Sequence, residues 1–277
     1  MNALDRYDGA EGALKSLTGS WVRSKILLSL LGGPKRIQVL AESVGTKDKT
    51  AHHSVRTMID EGSIERVSNG YALTNIGRIR AALLATTING STVLNENADF
   101  WMGHDISGIP PALQIRIGEL AGGEFLRAAP DSPLEVQRVF IEKVSSAKAI
   151  WGVSPYIAPG YEEMITGLLD NGAKVSLILT KGVIDKIESA VLRAWLDNEN
   201  FSLYEILEHI TVAFCVADEL LSLGLCSSDG TYDPLGDLMC PGADAAAWGR
   251  ELYEYYLKQA RPVQLSGHPT IRARVFV

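Results

Sequence analysis

Cysteine is scarce in this 277-residue chain, and Cys215, Cys226 and Cys240 form neither a CxxC pair nor a disulfide framework. That absence speaks against metal and redox roles and suits a reducing compartment. No uninterrupted run of about 18 apolar residues occurs, so no membrane-spanning helix is expected. The opening "MNALDRYDGAEGALKSLTG" lacks the apolar stretch of a signal peptide, which makes a cytoplasmic location the expectation. Catalytic motifs are missing too: there is no GxSxG elbow, GxGxxG, GxxxxGK[ST], HExxH or His-x-Lys-x4-Asp. His104-Asp105 and Glu162-Glu163 offer acid–base groups, but adjacent residues on a helix point apart. A non-enzyme without cofactor or metal is therefore expected.

What is present is an uneven charge. The net charge is -7 overall. Residues 1–85 nevertheless hold 12 Lys/Arg against 8 Asp/Glu, or +4, which leaves -11 for the remainder. A basic module joined to an acidic one suggests a polyanion as partner of the first.

The basic segment reads as a series of short helices. Ser20 is placed to cap "WVRSKILLSLLGG", where Val22, Ile26, Leu27 and Leu30 recur at helical spacing. Gly32-Gly33 ends it, and Pro34 suits the first position of a second helix carrying Ile37, Leu40, Ala41 and Val44. Thr46 is placed to cap a third helix running to Glu61 and stopped by Gly62. On that helix Lys49, His52, His53 and Arg56 fall within roughly 100° of one another, with Ala51, Val55, Met58 and Ile59 opposite. Such a face presents donors. Two helices joined by a short turn, the second basic outward, is the helix-turn-helix pattern, whose second helix enters the major groove.

"SIERVSNGYALT" follows, and Asn69-Gly70 predicts a two-residue hairpin between strands holding Ile64 and Val67, then Tyr71 and Leu73. Thr74 is placed to cap a fourth helix. This order makes a winged helix-turn-helix. Lys47, Lys49, Thr50, His52, His53 and Arg56 are the candidate groove and phosphate contacts. Arg66 and Asn69 are candidates on the wing, while Arg78 and Arg80 read as solvated or as part of a dimer surface.

"NGSTVLNENA" (89–98) reads as a polar linker. Beyond it, "KAIWGVSPYI", "AKVSLILTKG" and "HITVAFCVADELLSLGLCSSDG" read as strands alternating with helices, the last turning at Asp218-Glu219 into a further strand. "ADAAAWGRELYEYYLKQA" reads as a closing helix. The alternation predicts a small, mainly parallel sheet. Ligands in such sheets sit beyond the carboxyl ends of the strands. This places Ser154, Tyr156, Thr180 and Asp218 on one rim, with Trp151, His209 and Cys215 nearby, as candidates for binding a small-molecule effector.

Residues 22–84 resemble the winged-helix module of archaeal ArsR-like regulators. "FWMGHDISGIPPALQIRIGEL", "SPYIAPGYEEMITGLLDNGAKVSLILT" and "DGTYDPLGDLMCPGADAAAWGRELYEYYLKQ" resemble the C-terminal portion of the methanogenesis-regulatory transcription factors of methanogenic archaea. The resemblance covers roughly residues 20–262. It implies a DNA-binding regulator whose second part is similar to half of a phospholipase D-like sheet without the catalytic His/Lys/Asp set. It supplies no effector.

The expectation is an α+β chain: a winged helix-turn-helix DNA-binding domain at 1–88, a small α/β sensing or dimerisation domain at 99–262, and a tail at 263–277. Double-stranded DNA, a second copy of the chain and a small-molecule effector are the expected partners. The fourth helix (Ile79, Leu83, Leu84) and the closing helix (Trp248, Leu252, Tyr255, Tyr256) offer faces for the homodimer. The alternative is a non-catalytic interaction module whose winged helix contacts protein.

Overall fold

Local sequence explains most of the N-terminal elements. In the computed structural model, which describes residues 2–129 and 131–263, helix α1 (Ala3–Thr18) opens with a capping box in which Asn2 and Asp5 bond each other's backbone N–H. Periodicity did not mark α1, because it buries no side chain. It is held through Ser16, whose hydroxyl donates to the Glu61 carboxylate at 2.5 Å. The Ser20 hydroxyl accepts from the Arg23 N–H at the start of α2 (Trp21–Leu30).

The next helix, α3 (Ile37–Val44), starts later than Pro34 suggested. Lys35 is taken up instead by paired hydrogen bonds with Tyr71, 3.0 and 2.9 Å. Gly45 ends α3 in the left-handed conformation. Helix α4 (Asp48–Asp60) is preceded by Lys47, not Thr46, at its cap position.

Strands β1 (Ile64–Val67) and β2 (Gly70–Leu73) make the wing. Here the turn differs from expectation: Val67 pairs with Gly70, so Ser68-Asn69 form the tip and only Gly70 takes a positive φ. That glycine is required, because a Cβ would run into the Lys35 carbonyl. Thr74 caps α5 (Asn75–Glu96) by accepting the Gly77 N–H at 3.0 Å. Ile26, Leu40, Val55, Met58, Ile64 and Leu73 are among the residues that close one core beneath these elements.

The chain divides into two compact units, Met1–Asn89 and Gly90–Val277. The segment 89–98 is not an irregular linker. Helix α5 runs through it to Glu96, and α6 (Ala98–Gly103) follows after a single residue. Polar composition marked exposure there rather than a break.

In the second unit come α7 (Pro111–Gln114), a 3-10 turn at Ile117–Leu120, β3 (Glu124–Arg127), α8 (Glu135–Val144), β4 (Ala149–Ser154), α9 (Tyr161–Asp170) and β5 (Lys174–Thr180). They are followed by α10 (Lys181–Ile184), α11 (Ser189–Asp197), β6 (Phe201–Ile206), β7 (Val212–Ala217), β8 (Leu220–Leu225), β9 (Gly236–Pro241), α12 (Ala243–Leu257) and β10 (Arg261–Pro262). The fold is α+β, and one eight-stranded sheet runs β10-β6-β5-β4-β7-β8-β9-β3.

That sheet is mixed, not mainly parallel. Its two parallel pairings are β4–β5 and β5–β6, where α9 and then α10–α11 supply the crossovers. The other five are antiparallel. Asp218-Glu219 joins β7 to β8 in a two-residue turn, which only antiparallel neighbours can share. Strands β3, β6, β9 and β10 were not foreseen.

Side chains alternate across the sheet into two cores. One face carries Val153, Ile178, Phe214 and Val216 against α12. The other carries Ile150, Val175, Leu177 and Cys215 against α8, α9 and α11. Trp248, Leu252 and Tyr256 are buried in the first core, so α12 offers little to a second copy. Residues 264–277, nearly all of the expected tail, lie outside the described residues.

Candidate functional site

Helix α4 divides its two faces sharply. Ala51, Ser54, Val55 and Met58 are buried, and Lys49, Thr50, His52, His53 and Arg56 are exposed, as is Lys47 at the cap. Ile59, expected inside, is exposed, and Ser54 is buried. None of the Lys47, Lys49, His52, His53 or Arg56 side chains enters an ion pair among the described residues. The start of α4 leaves its N–H groups without a side-chain cap, a favourable setting for a phosphate oxygen beside Lys47 and Lys49.

The wing is positioned rigidly against this helix. Gly77 of α5 packs so closely on the Ser63 carbonyl that no Cβ fits between them. Arg80 donates to the Glu61 carbonyl at 3.3 Å and to the Ser63 hydroxyl at 2.6 Å. It is therefore a brace for the α4–β1 turn rather than a solvated cation. Arg66 is exposed on β1, lies 5.6 Å from the centre of the Tyr71 ring and donates to the Tyr71 hydroxyl at 3.2 Å. Asn69 sits exposed at the wing tip. The result is a helix face that presents Lys49, His52, His53 and Arg56 outward, with Arg66 exposed on the wing in the same unit.

The expected effector rim does not assemble as one group. Asp218 lies at the opposite end of the strands, because β7 runs antiparallel to β4. Its carboxylate accepts from the Lys148 and Ala149 N–H groups at 3.2–3.3 Å, and its φ of 49° makes it a turn residue. Trp151 points into the core on the α12 side. Thr180 is the cap position of α10, and His209 is exposed in the β6–β7 loop.

Ser154, Tyr156 and Cys215 do share a place. They line a cavity of about 80 Å³ between the sheet and α8, α9 and α11. Ser154 Oγ donates to the Tyr156 carbonyl at 2.5 Å and accepts its N–H at 3.1 Å, fixing the loop after β4.

The same cavity holds groups that were missed: Tyr161, Ser222, Tyr232 and Asp237. Asp237 is buried, its Oδ2 accepts from Ser222 Oγ at 2.6 Å, and its Oδ1 has no partner. Burial pushes its carboxyl up to about 7, against the opposing pull of the Ser222 hydroxyl and of the Leu223 and Leu238 backbone N–H groups. Burial likewise raises the Tyr161 and Tyr232 hydroxyls and pushes the Cys215 thiol up to about 12. The signal for this site was slight. It was an acid inside the apolar run "GDLMC" (236–240), not read as a strand.

Comparison with known proteins gives a consistent family. Residues 11–90 match the family model described as the N-terminal domain of the methanogenesis regulatory protein FilR1, and residues 133–259 match that of its middle domain. The chain is 32% identical over 255 residues to the methanogenesis regulatory protein FilR1 of Methanothrix harundinacea (strain 6Ac), covering 90% of this chain. It spans 57% of the length of that relative. Among solved structures, TrmBL2, described as an archaeal chromatin protein with a novel mode of DNA binding, is 13% identical with a TM-score of 0.42, over 87% of this chain and 93% of that one. Nuc, a phospholipase D family member from Salmonella typhimurium, is 12% identical with a TM-score of 0.38, over 52% of this chain and 99% of that one. At these scores neither likeness carries weight for fold or function.

Proposed function

Because the chain belongs to the family of the methanogenesis regulatory protein FilR1, with both its N-terminal and middle domains represented, we propose that it is a DNA-binding transcription regulator that reads duplex DNA with α4 and the wing. The observation that carries this reading is the outward set Lys49, Thr50, His52, His53 and Arg56 on a helix whose other face is buried. In a major groove, Arg56 and Lys49 can donate to guanine O6/N7, while Thr50 and neutral His side chains read other base edges. Lys47 at the helix start and Arg66 and Asn69 on the wing suit phosphate and minor-groove contacts, which supply affinity rather than choice of site.

A homodimer belongs to the same proposal. One unit of net charge +4 holds few phosphates, so two copies on half-sites about one helical turn apart gain affinity through effective concentration. On α5, Ile76, Ile79 and Leu83 are 56%, 64% and 60% exposed along one stripe, a self-complementary face for an isologous contact. Leu84, by contrast, is buried. The second unit then acts as the effector-responsive part, and the cytoplasm, where the DNA is, is the place of action. Among the described residues no helix is long and apolar enough to cross a membrane.

The test is selection of bound fragments from genomic DNA by purified full-length protein. The expected result is enrichment of a common sequence and its loss in a folded Lys47/Lys49/His53/Arg56 quadruple alanine variant. Equal binding by the variant overturns the reading. It would favour instead the module in which the winged helix contacts protein, whose affinity lacks the steep salt dependence of phosphate binding.

A further inference from the structure

We propose that the cavity between the sheet and α8, α9 and α11 is a receptor site for a small organic cation, an alkylammonium that donates an N–H to Asp237. Four observations converge on that chemistry. First, Asp237 Oδ1 is buried without a hydrogen-bond partner although Oδ2 is bonded to Ser222. Buried polar atoms are nearly always paired, and one left open in a cavity wall is an acceptor awaiting a donor. Second, the lining contains no Lys, Arg or His, so the protein supplies no counter-charge and the free carboxylate favours a ligand that brings one. Third, Phe140, Tyr156, Tyr161, Trp195 and Tyr232 all line the space. Aromatic walls hold ammonium groups through the electron-rich ring faces. Fourth, the volume of about 80 Å³ is roughly half the ~150 Å³ that accommodates benzene, which fits a ligand of about three or four heavy atoms. An anion meets the carboxylate, and a polyol of sugar size meets too little room.

Ser154, Tyr156 and Ile157 are only half-buried, so the cavity is reached from solvent at the end of β4. Binding is coupled to protons. The groups facing Asp237 are Ser222 on β8, Cys215 on β7, Tyr161 on α9, Tyr156 after β4, and Tyr232 between β8 and β9, with Cys240 on its own strand. Burial holds both thiols near 12 and raises the Tyr161 and Tyr232 phenols, which leaves Asp237 as the group among these that changes charge near neutrality. A cation pairs with the carboxylate form. Its affinity therefore falls about tenfold per pH unit below about 7.

This site deepens the effector reading, and rests on it only for any consequence on DNA affinity; the binding measurement needs no DNA. The experiment titrates the full-length protein by ligand-observed NMR with ethyl-, isopropyl- and tert-butylammonium chloride, against isopropanol as the neutral isostere of the second, at matched ionic strength. Isopropylammonium is expected to bind with a Kd in the millimolar range, since four heavy atoms do not carry more than tens of micromolar at best. It should bind about tenfold tighter at pH 8 than at pH 6, and about tenfold tighter than the alcohol at pH 8. Asp237→Asn, checked for folding by circular dichroism, should abolish the preference for the ammonium. Equal affinity for amine and alcohol, affinity independent of pH between 6 and 8, or failure of all three amines to bind each overturns the proposal. The first two comparisons use the unmutated chain, so they hold even if the variant does not fold. Loss of DNA binding in the α4 quadruple variant with amine binding intact would separate this site from the DNA-reading proposal.

Discussion

Asp237→Asn isolates the energetic cost of keeping one carboxyl in the second core. Its ordinary value is 3.8 and burial raises it to about 7 in the folded chain. At about 1.4 kcal/mol per unit, a shift of about three units corresponds to roughly 4 kcal/mol. The sign follows from which state holds the proton. Between about pH 4 and pH 7 the unfolded chain has lost it and the folded chain keeps it, so stability falls as pH rises and levels off above about 7. Below about pH 4 both states are protonated and the cost vanishes.

Asparagine carries no charge, and its side-chain oxygen can still accept from Ser222. The variant should therefore match the parent near pH 4 and exceed it by about 2–4 kcal/mol at pH 8, the lower figure allowing for the weaker, uncharged hydrogen bond. Urea unfolding in a Trp21→Phe background reports the second unit alone, through Trp101, Trp151, Trp195 and Trp248. Stability curves that run parallel from pH 4 to 8, or a variant less stable than its parent at pH 8, would refute the reasoning.

Arg56→Ala should cost about 1–3 kcal/mol on a selected DNA site and relax preference at one base position, whereas Lys47→Ala should weaken all sequences alike and flatten the salt slope, both read by fluorescence anisotropy. Gly77→Ala forces a Cβ onto the Ser63 carbonyl. It should destabilise the first unit by about 1–3 kcal/mol in thermal unfolding, and a melting temperature unchanged from the parent would contradict that contact. Replacing both Ile79 and Leu83 with Glu should yield a monomer in sedimentation at micromolar concentration, with the circular dichroism spectrum preserved, because both side chains are exposed in the single chain.

The winged helix could be read in the sequence because each of its elements carries its own local signal. The faces of α4 follow from a spacing of 3.6 residues. Thr74 caps α5 as a hydroxyl one residue before a helix, and Gly45 and Gly62 end their helices by taking positive φ. These are short-range constraints, settled within one or two turns of chain. Even there, the pairing of Lys35 with Tyr71 shifted α3, and the wing tip moved one residue to Ser68-Asn69, because contacts distant in sequence outweighed local preference.

The second unit was legible where local signals mark its elements, as in β4–α9–β5, the Asp218-Glu219 turn between β7 and β8, and α12. The position of a strand in the sheet order is a tertiary property. Once β7 paired antiparallel with β4, Asp218 moved to the far end of the strands and Trp151 faced α12. Asp237, in a short strand bounded by Pro234 and Pro241, came to lie opposite Tyr161 and beside Ser222, residues 76 and 15 positions earlier in the chain. No periodicity in sequence encodes such a meeting, because it depends on which edges of a sheet the backbone hydrogen bonds join. The composition determined that the chain would carry a basic helical module and an acidic α/β partner. Only the packed sheet decided where an unpaired carboxylate would be enclosed.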